Sequence, residues 1–532
     1  MLNDHTPNLY DEVPYPGYPF AQTHPDRLST LATIFGLRPA PVTRCRVLEL
    51  GCGDGANLIP MAFSLPESEF TGVDLAAQPV AAGRARAAEL ELHNLELRCL
   101  DLCAVDRSFG EFDYIIAHGV YSWVPPEVRE RMLAVCRELL APHGVAYISY
   151  NAMPGCHLRQ MVREMMRFHV RELSDPRERV EQGLMLLRLL LQKFPGPQAA
   201  ERDMYGSLLK EQLEDMQGWR RRETICHDDL AEINDPVYFH EFMAQAQRHG
   251  LQYLAEANFF EMQDYIYPPP LREFLRRFSP AQIVEKEQYL DFLKCRSFRQ
   301  TLLCRSEASP DRDLNPQRVR ELLIESPAQP VTSPPDLRPG VVQEFRGPRG
   351  AKLQTDDPLA RAALWHLGQV APRALRWSEL LTAVRERLAA AGALPEDDGA
   401  EEILAEILLA AFGAGLVQLH VWQPHFVTTV SARPQANRLA RWQAARGEPV
   451  TSLLHQTIEP DDVLSRHLMQ LLDGTRDHAR LCDDLVAALS GKQPVTLPDG
   501  TELSDPAALR QLIADGLAAN LQKCAQMALL VE

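Results

Sequence analysis

The stretch CRVLELGCGDGANLIP, Cys45 to Pro60, decides how the rest of the chain is read. A short aliphatic run, RVLEL (46–50), ends in a loop with glycines at 51, 53 and 55, and a helical segment follows. Glycine-rich turns after a first strand serve cofactors because the backbone there turns sharply and lets a ligand approach closely. Gly51, Gly53 and Ala56 satisfy a G-x-G-x-x-A dinucleotide fingerprint, and Asp74 falls where a ribose-binding acid belongs. S-adenosylmethionine binds the same kind of turn. The loop by itself leaves both cofactors open.

Outward from the loop, strand-like and helical runs alternate. The strand-like runs are RVLEL (46–50), FTGVDL (70–75), LELRCL (95–100), FDYIIAHG (112–119) and GVAYISY (144–150). That rhythm predicts a parallel, doubly wound α/β sheet. After Asn151 helical spacing takes over, in HLRQMVREMMRFHV (157–170), ERVEQGLMLLRLLLQKF (178–194) and DPVYFHEFMAQAQRHG (235–250). Two later runs, LQYLAEA (251–257) and SFRQTLLCR (297–305), read as the last strands of the same sheet, delayed by a helical insertion.

Three features favour S-adenosylmethionine over a dinucleotide. Glu49, two residues before the first glycine, suits the cationic amino end of that cofactor, directly through the loop or through water, and would repel a pyrophosphate. Asp101 and Leu102 follow the third strand, where an acid accepts from the adenine amino group and an apolar neighbour packs the ring. The run FDYIIAHGVYSWV ends in aromatics rather than in a hydride-transfer constellation. In this reading Gly51, Cys52, Gly53, Asp54 and Gly55 form the cradle, and Asp54 and Asn57 position the methionine end. Asp74, followed by Leu75, holds the ribose hydroxyls with its two oxygens.

Composition narrows the class further. Hydrophobic residues make up 45% and charged residues 24% of the chain, as in soluble globular proteins. No apolar run approaches the roughly 20 residues needed to cross a bilayer. MLNDHTPNLYDEV carries acids and no apolar core, so no secretory leader and a cytoplasmic location are expected. The 11 cysteines include no C-x-x-C pair, which argues for reduced thiols and against a metal site. A net charge of −17 opposes nucleic-acid binding. Lysine first appears at Lys193 while arginine is plentiful, a bias that a GC-rich genome produces by itself.

From about Glu307 to Pro358 the chain is rich in proline and turns, which predicts an interdomain connection. Beyond it, DPLARAALWHLGQV, SELLTAVRERLAAAG and GAEEILAEILLAAFGAG read as three helices, with LVQLHVWQP as a strand. This fits a winged-helix-like module, and a similar rhythm follows to the end, including the hairpin-like PVTLPDGTEL. The candidate recognition helices are acidic, so docking of a protein is expected rather than reading of DNA.

Taken in order, VLELGCGDG, GVDL, Asp101-Leu102, FDYIIAHGVYSWVP and LLAPHGVAYIS resemble the consecutive motifs of class I S-adenosylmethionine-dependent methyltransferases. The resemblance implies a seven-stranded sheet whose seventh strand runs antiparallel between the fifth and sixth. It also implies S-adenosylmethionine as cofactor and S-adenosylhomocysteine as product. SYNAMPGCHLRQMVREMM, with HDDLAEINDPVYFHEFMAQAQRHGLQYLAEA, is similar to bacterial methyltransferases that carry a methyltransferase regulatory domain. Within that group the chain resembles the rickettsial outer-membrane-protein lysine methyltransferases, whose C-terminal half is similar to RPQANRLARWQAARGEPVTSLLHQ and LMQLLDGTRDHARLCDDLVAAL here. The resemblance runs over nearly the whole chain, from YPGYPFAQTHPDRL onward.

The expected organisation is therefore a methyltransferase core at 1–156 and 251–306, with a helical insertion or regulatory domain at 157–250. A linker at 307–357 leads to winged-helix-like modules at 358–430 and 431–532. The expected acceptor is protein lysine, on an outer-membrane or surface protein. Two other readings stay open at this point. One is a small-molecule methyltransferase that uses its C-terminal half as a homodimer interface; the other is a non-catalytic cofactor-binding interaction protein.

A lysine acceptor must lose its proton before attack, since its free pKa is about 10.4. An apolar, aromatic channel favours the neutral amine. Tyr121 and Trp123, just past the fourth strand, are expected to form it, with His118 steering the cofactor or relaying a proton. Tyr150 and Asn151, ending the fifth strand, are expected at the same opening. Met161, Met165 and Met166 read as packing, and Tyr15, Tyr18, Phe20 and His24 as an arm over the cofactor.

Overall fold

The protein is described as a computed structural model covering residues 9–194, 196, 198, 201–218, 222–394, 399–460, 462–489, 495–496, 502–503 and 506–532. The chain divides into two compact units. The first comprises the described parts of Met1–Tyr18, Leu37–Leu58 and Glu67–Asp313; the second comprises Pro19–Gly36, Ile59–Pro66 and Leu314–Glu532.

Seven strands form the sheet of the first unit: β1 (Arg46–Leu50), β2 (Glu69–Asp74), β3 (Leu95–Cys99), β4 (Phe112–Ala117), β5 (Leu140–Asn151), β6 (Leu251–Glu256) and β7 (Phe298–Arg305). Their order is β3-β2-β1-β4-β5-β7-β6. β1 pairs in parallel with both β2 and β4. Val47, Leu48 and Leu50 are fully buried, as a central strand covered on both faces requires. β7 runs antiparallel to β5 and to β6, as the family resemblance implied. This puts the start of β7 at the carboxyl edge of the parallel strands, with Phe298 opposite Asn151.

Helix Phe239–Arg248 lays Phe239, Phe242, Met243 and Ala246 on the sheet, a spacing that makes one apolar face. The insertion contributes helices Cys156–His169, Pro176–Leu191, Met204–Gly218 and Arg222–Asp229 around a separate core that includes Val162, Met166, Leu187, Leu209 and Ile225. Met166 is buried as expected, whereas Met161 is 38% exposed. Beneath the β6–β7 edge, Arg299 is buried and bonded to Glu256 (2.5 Å), Asp291 (2.8 Å) and Glu287 (3.1 Å).

In the second unit, a three-stranded sheet is ordered Leu375–Arg376, Leu323–Glu325, Gln418–His420, beside helices Pro358–Val370, Trp377–Ala390 and Ala400–Gly413. Further on, helices Arg438–Ala445, Val463–Leu471, His478–Leu489 and Pro506–Gln526 enclose a core of Leu472, Leu481, Leu485 and Leu521. Val495–Thr496 pairs with Glu502–Leu503; the turn of the expected hairpin lies outside the described residues.

Two domain boundaries need correction. The stretch 307–357 is not a bare linker, because Leu323–Glu325 is the central strand of that small sheet. Three residues bordered by turns and prolines are too short to show periodicity. Residues 19–36 belong to the second unit, not to the core. Asp26 accepts hydrogen bonds from the backbone of Val421 and Trp422 and pairs with His420 at 2.7 Å. His24, expected over the cofactor, is buried there beside His455 and Trp422.

Candidate functional site

In open α/β sheets, ligands bind outside the carboxyl ends of the strands. Nearly every residue singled out from the sequence lies along that edge of the first unit. The loop after β1 is tied to β2 by hydrogen bonds from the Gly51 and Cys52 amides to the Val73 carbonyl, at 2.8 and 3.1 Å. Gly51, Gly53 and Gly55 all have positive φ (77°, 54° and 73°), a region that side chains disfavour. A Cβ on Gly51 would collide with Val120, whereas a Cβ on Gly53 would meet nothing within 4 Å. The loop is thus packed on one side and leaves a space on the other. Cys52 is buried, its thiol raised well above the ordinary range by burial.

Glu49 projects under this loop. One carboxylate oxygen accepts from Asn57 Nδ2 at 2.8 Å; the other is buried and has no hydrogen-bond partner among the described residues. Burial, with the Asp74 and Asp54 charges adding to it against the Asn57 bond, pushes Glu49 up to about 8. Asp74, ending β2, accepts from the Gly53 amide at 2.8 Å with one oxygen and from the Ala76 amide at 2.8 Å with the other. Burial raises its pKa as well. Each carboxylate oxygen has a second lone-pair direction, so two hydroxyls can still be accepted.

Leu102 is buried and Asp101 exposed, with Asp101 Oδ1 capping the next turn through the Cys103 amide at 2.8 Å. Leu75 is 62% exposed, its side chain away from packed neighbours. Asp54 and Asn57 are held by the protein itself: Asp54 pairs with Arg86 at 2.5 Å and Asn57 with Glu49. Their geometry supports the loop rather than the methionine end directly.

At the end of β4, His118 Nδ1 lies 3.0 Å from the Tyr147 hydroxyl and 3.2 Å from Ser149 Oγ. Ser149 also accepts from the Gly119 amide at 2.9 Å. Burial lowers His118 to about 4, so the ring is neutral at physiological pH and is a weak acceptor for an ammonium proton. The ring edge of Phe298 faces it with centroids 6.3 Å apart. Trp123, in the turn after β4, is half-buried.

Tyr121 does not line a channel. It is fully buried between Tyr150 and Phe242, with its hydroxyl on Gln245. The short helical turn Tyr121–Trp123 rotates successive side chains to different sides, which the sequence spacing does not reveal. Asn151 is 7% exposed and is held by the protein itself: its backbone N–H donates to Ser122 Oγ at 2.9 Å and its Nδ2 donates to Asn234 Oδ1 at 2.9 Å. Tyr150 is buried, bonded to Thr301 at 3.1 Å.

Sequence reading missed Tyr147, Ser149 and Phe298. Tyr147, Ser149 and Asn151 share one face of β5 by strand alternation, a signal that was there to find. It named Tyr15 on an arm over the cofactor but missed Tyr10 and Asp11. Asp11 Oδ1 accepts from the Gln78 amide at 2.9 Å, and Tyr10 stacks on His227 with centroids 4.2 Å apart.

The site fits S-adenosylmethionine. Glu49 offers an unbonded buried oxygen to a cation, Asp74 offers free lone pairs to hydroxyls, and Gly53 opens onto a space that a side chain would fill. Among the described residues no His, Cys, Asp and Glu group is arranged for a metal, and no helix is long and apolar enough to cross a membrane.

Residues 48–146 match a family described as "Methyltransferase domain", residues 221–305 one described as "Predicted methyltransferase regulatory domain", and residues 432–529 "PKMT, C-terminal winged helix domain". The regulatory match takes in β6 and β7 as well as the last helices of the insertion. The chain is 32% identical over 545 residues to the uncharacterised protein RP789 of Rickettsia prowazekii, covering 99% of this chain and 94% of that one. It is 36% identical over 239 residues to RP028 of the same organism, covering 45% of this chain and 94% of that one. Among solved structures, PKMT2 from Rickettsia typhi in complex with AdoHcy superimposes with a TM-score of 0.85 at 26% identity, over 98% of this chain and 100% of that one. The same protein described without AdoHcy matches at 0.85 and 27% identity, over 97% and 100%.

Proposed function

We propose, from the premise that this chain belongs to the class I S-adenosylmethionine-dependent methyltransferases with a methyltransferase regulatory domain, that it methylates lysine side chains of a protein. The observation that carries this reading is the full-length likeness to PKMT2, which includes the C-terminal half as well as the cofactor core. A small-molecule acceptor does not require such an appendage, whereas a protein acceptor needs a docking surface. An outer-membrane or surface protein, met in the cytoplasm before export, is the acceptor this reading favours.

S-adenosylmethionine, when bound, supplies a methyl group on a sulfonium leaving group. The chain's own residues then have three tasks. Glu49, Asp74 and the glycine loop fix the cofactor. Phe298, edge to face with His118, and Trp123, in the turn after β4, would give an aromatic, poorly hydrated entrance, which favours the neutral amine of a lysine over its ammonium. His118, held by Tyr147 and Ser149 and neutral because of its burial, fits orientation better than proton abstraction. Deprotonation by desolvation, without a dedicated base, is the mechanism this arrangement favours.

The test is transfer of labelled methyl groups from S-adenosylmethionine into a cell-envelope protein extract, with Asp74→Ala as control and mass spectrometry to locate the label. Methyl-lysine in a discrete protein, lost in the control, is the expected result. Label confined to small molecules would refute the protein acceptor.

A further inference from the structure

Residues 9–17 form an arm that touches the cofactor-binding turns and the insertion together. Asp11 accepts from the Gln78 amide, four residues after Asp74 and at the start of helix Ala77–Glu89. At the other end Gly17 lies so close to the cofactor loop that a Cβ there would sit 2.5 Å from Asp54 Oδ1 and 2.6 Å from the Ala56 Cβ. Between these two points the arm is held by the insertion: Leu9 and Val13 pack against its core, and His227 forms the aromatic and polar seat. The His227 ring stacks on Tyr10 (4.2 Å, 14° between planes) and takes Tyr15 edge-on at 5.6 Å. Its Nε2 donates to the Val13 carbonyl at 2.6 Å, while the Tyr15 hydroxyl reaches Asp228 at 3.5 Å.

We propose that this arm closes the cofactor site, that Tyr10 contacts the bound cofactor beside Asp74, and that the insertion sets cofactor affinity by holding the arm through His227. The inference rests on the cofactor assignment and not on the identity of the acceptor. Tyr10 is 36% exposed, yet its hydroxyl end is crowded: burial first, then the Asp228 and Asp74 charges, raise the phenol to about 12. A phenol that keeps its proton there is a hydrogen-bond donor on the side of the site where Asp74 offers only acceptors. His227 lies within the match to the regulatory domain at 221–305. The arm is therefore a physical link between that domain and the cofactor, and the link is reciprocal: whatever loosens His227 weakens cofactor binding, and bound cofactor firms the seat on His227.

The experiment uses the full chain and S-adenosylhomocysteine as probe. Calorimetry gives its Kd for the wild type, Tyr10→Ala and Tyr15→Ala, and hydrogen exchange follows residues 9–17 and 222–229 with and without the probe. Tyr15 is 41% exposed, so its replacement loosens the seat without opening the core. The expected result is a Kd raised about tenfold in Tyr10→Ala and several-fold in Tyr15→Ala, with slower exchange of residues 9–17 in the bound wild type. Unchanged affinity in both variants, or unchanged exchange in the wild type, would overturn the proposal while leaving the cofactor assignment intact. A wild type that fails to bind the probe would overturn both.

Discussion

Glu49 and Asn57 share one hydrogen bond, 2.8 Å long, at the base of the cofactor loop, and the second Glu49 oxygen is buried without a partner among the described residues. With the folded carboxyl raised from 4.5 to about 8, the protein favours the protonated form. Its contribution to stability is complete below the ordinary carboxylate range and is lost as pH rises towards about 8. A cation arriving at the site reverses that preference. Binding of S-adenosylhomocysteine near pH 7 should therefore release a fraction of a proton, read by calorimetry in buffers of differing ionisation enthalpy. Glu49→Gln should bind without that release and should unfold with a flatter pH dependence. Equal proton release in the two proteins would count against Glu49.

The two loop glycines should separate folding from binding. Gly51→Ala sets a methyl group against Val120 at a φ of +77°, so a loss of about 2–4 kcal/mol in unfolding free energy is expected. Gly53→Ala meets open space and should lose only about 1–2 kcal/mol, from its left-handed backbone. Its affinity for S-adenosylhomocysteine should nonetheless fall by about tenfold or more, because the methyl group enters the cradle. Denaturant titration and calorimetry on the same samples distinguish the two effects.

Tyr121 and Trp123 are two residues apart and should behave oppositely. Tyr121→Phe keeps the buried ring and loses the bond to Gln245, a loss of about 1 kcal/mol in stability with KM for the acceptor unchanged. Trp123→Ala should leave the melting temperature nearly unaltered and raise the acceptor KM. The opposite pattern would restore Tyr121 to the channel.

Arg299 is surrounded by Glu256, Glu287 and Asp291 with no exposure to solvent. Arg299→Met leaves three buried carboxylates with one buried cation, Arg296, which reaches Asp291 at 3.0 Å and Glu256 at 3.8 Å, and about 3–5 kcal/mol of stability should go with the loss. Melting should recover in part at acidic pH in this variant, where the carboxylates take up protons. A variant as stable as the wild type at pH 7 would show that the cluster adjusts more freely than its geometry suggests.

The cofactor half of the fold was legible because each element announces itself. RVLEL is apolar at Val47, Leu48 and Leu50, side chains on both faces, since β1 is covered on both, and the glycines after it are needed for their positive φ. β6 and β7 were found as apolar runs, although no spacing rule announces the antiparallel direction of β7; that came with the family resemblance. Leu323–Glu325 was not legible, being three residues long with its partners some 50 and 95 positions away. Nor was the burial of Tyr121, because the same aromatic serves a rim or a core and only the packing of Tyr150 and Phe242 decides. Charged residues such as Arg299 read as solvated strand positions until three carboxylates are found around them. The arm was partly legible: its aromatics suggested a cover, but His227, their seat, lies more than 200 residues away.

The antiparallel seventh strand has a consequence during synthesis. β1 to β5 leave the ribosome as a set that can pair among themselves, but β5 then presents one unsatisfied edge, and its only partner on that side is β7. Roughly 150 residues separate the end of β5 from the start of β7, which at elongation rates of about 5–20 residues per second is about 7–30 s of exposure. An open edge is a template for pairing with another nascent chain. The insertion emerges in that interval, but the segment around Val237 bonds to Asn151 and Met153, on the side of the chain away from Ser297 and β7. It therefore leaves the β7-facing edge uncovered, and the half-built sheet carries an open template until the strand that closes it has been translated.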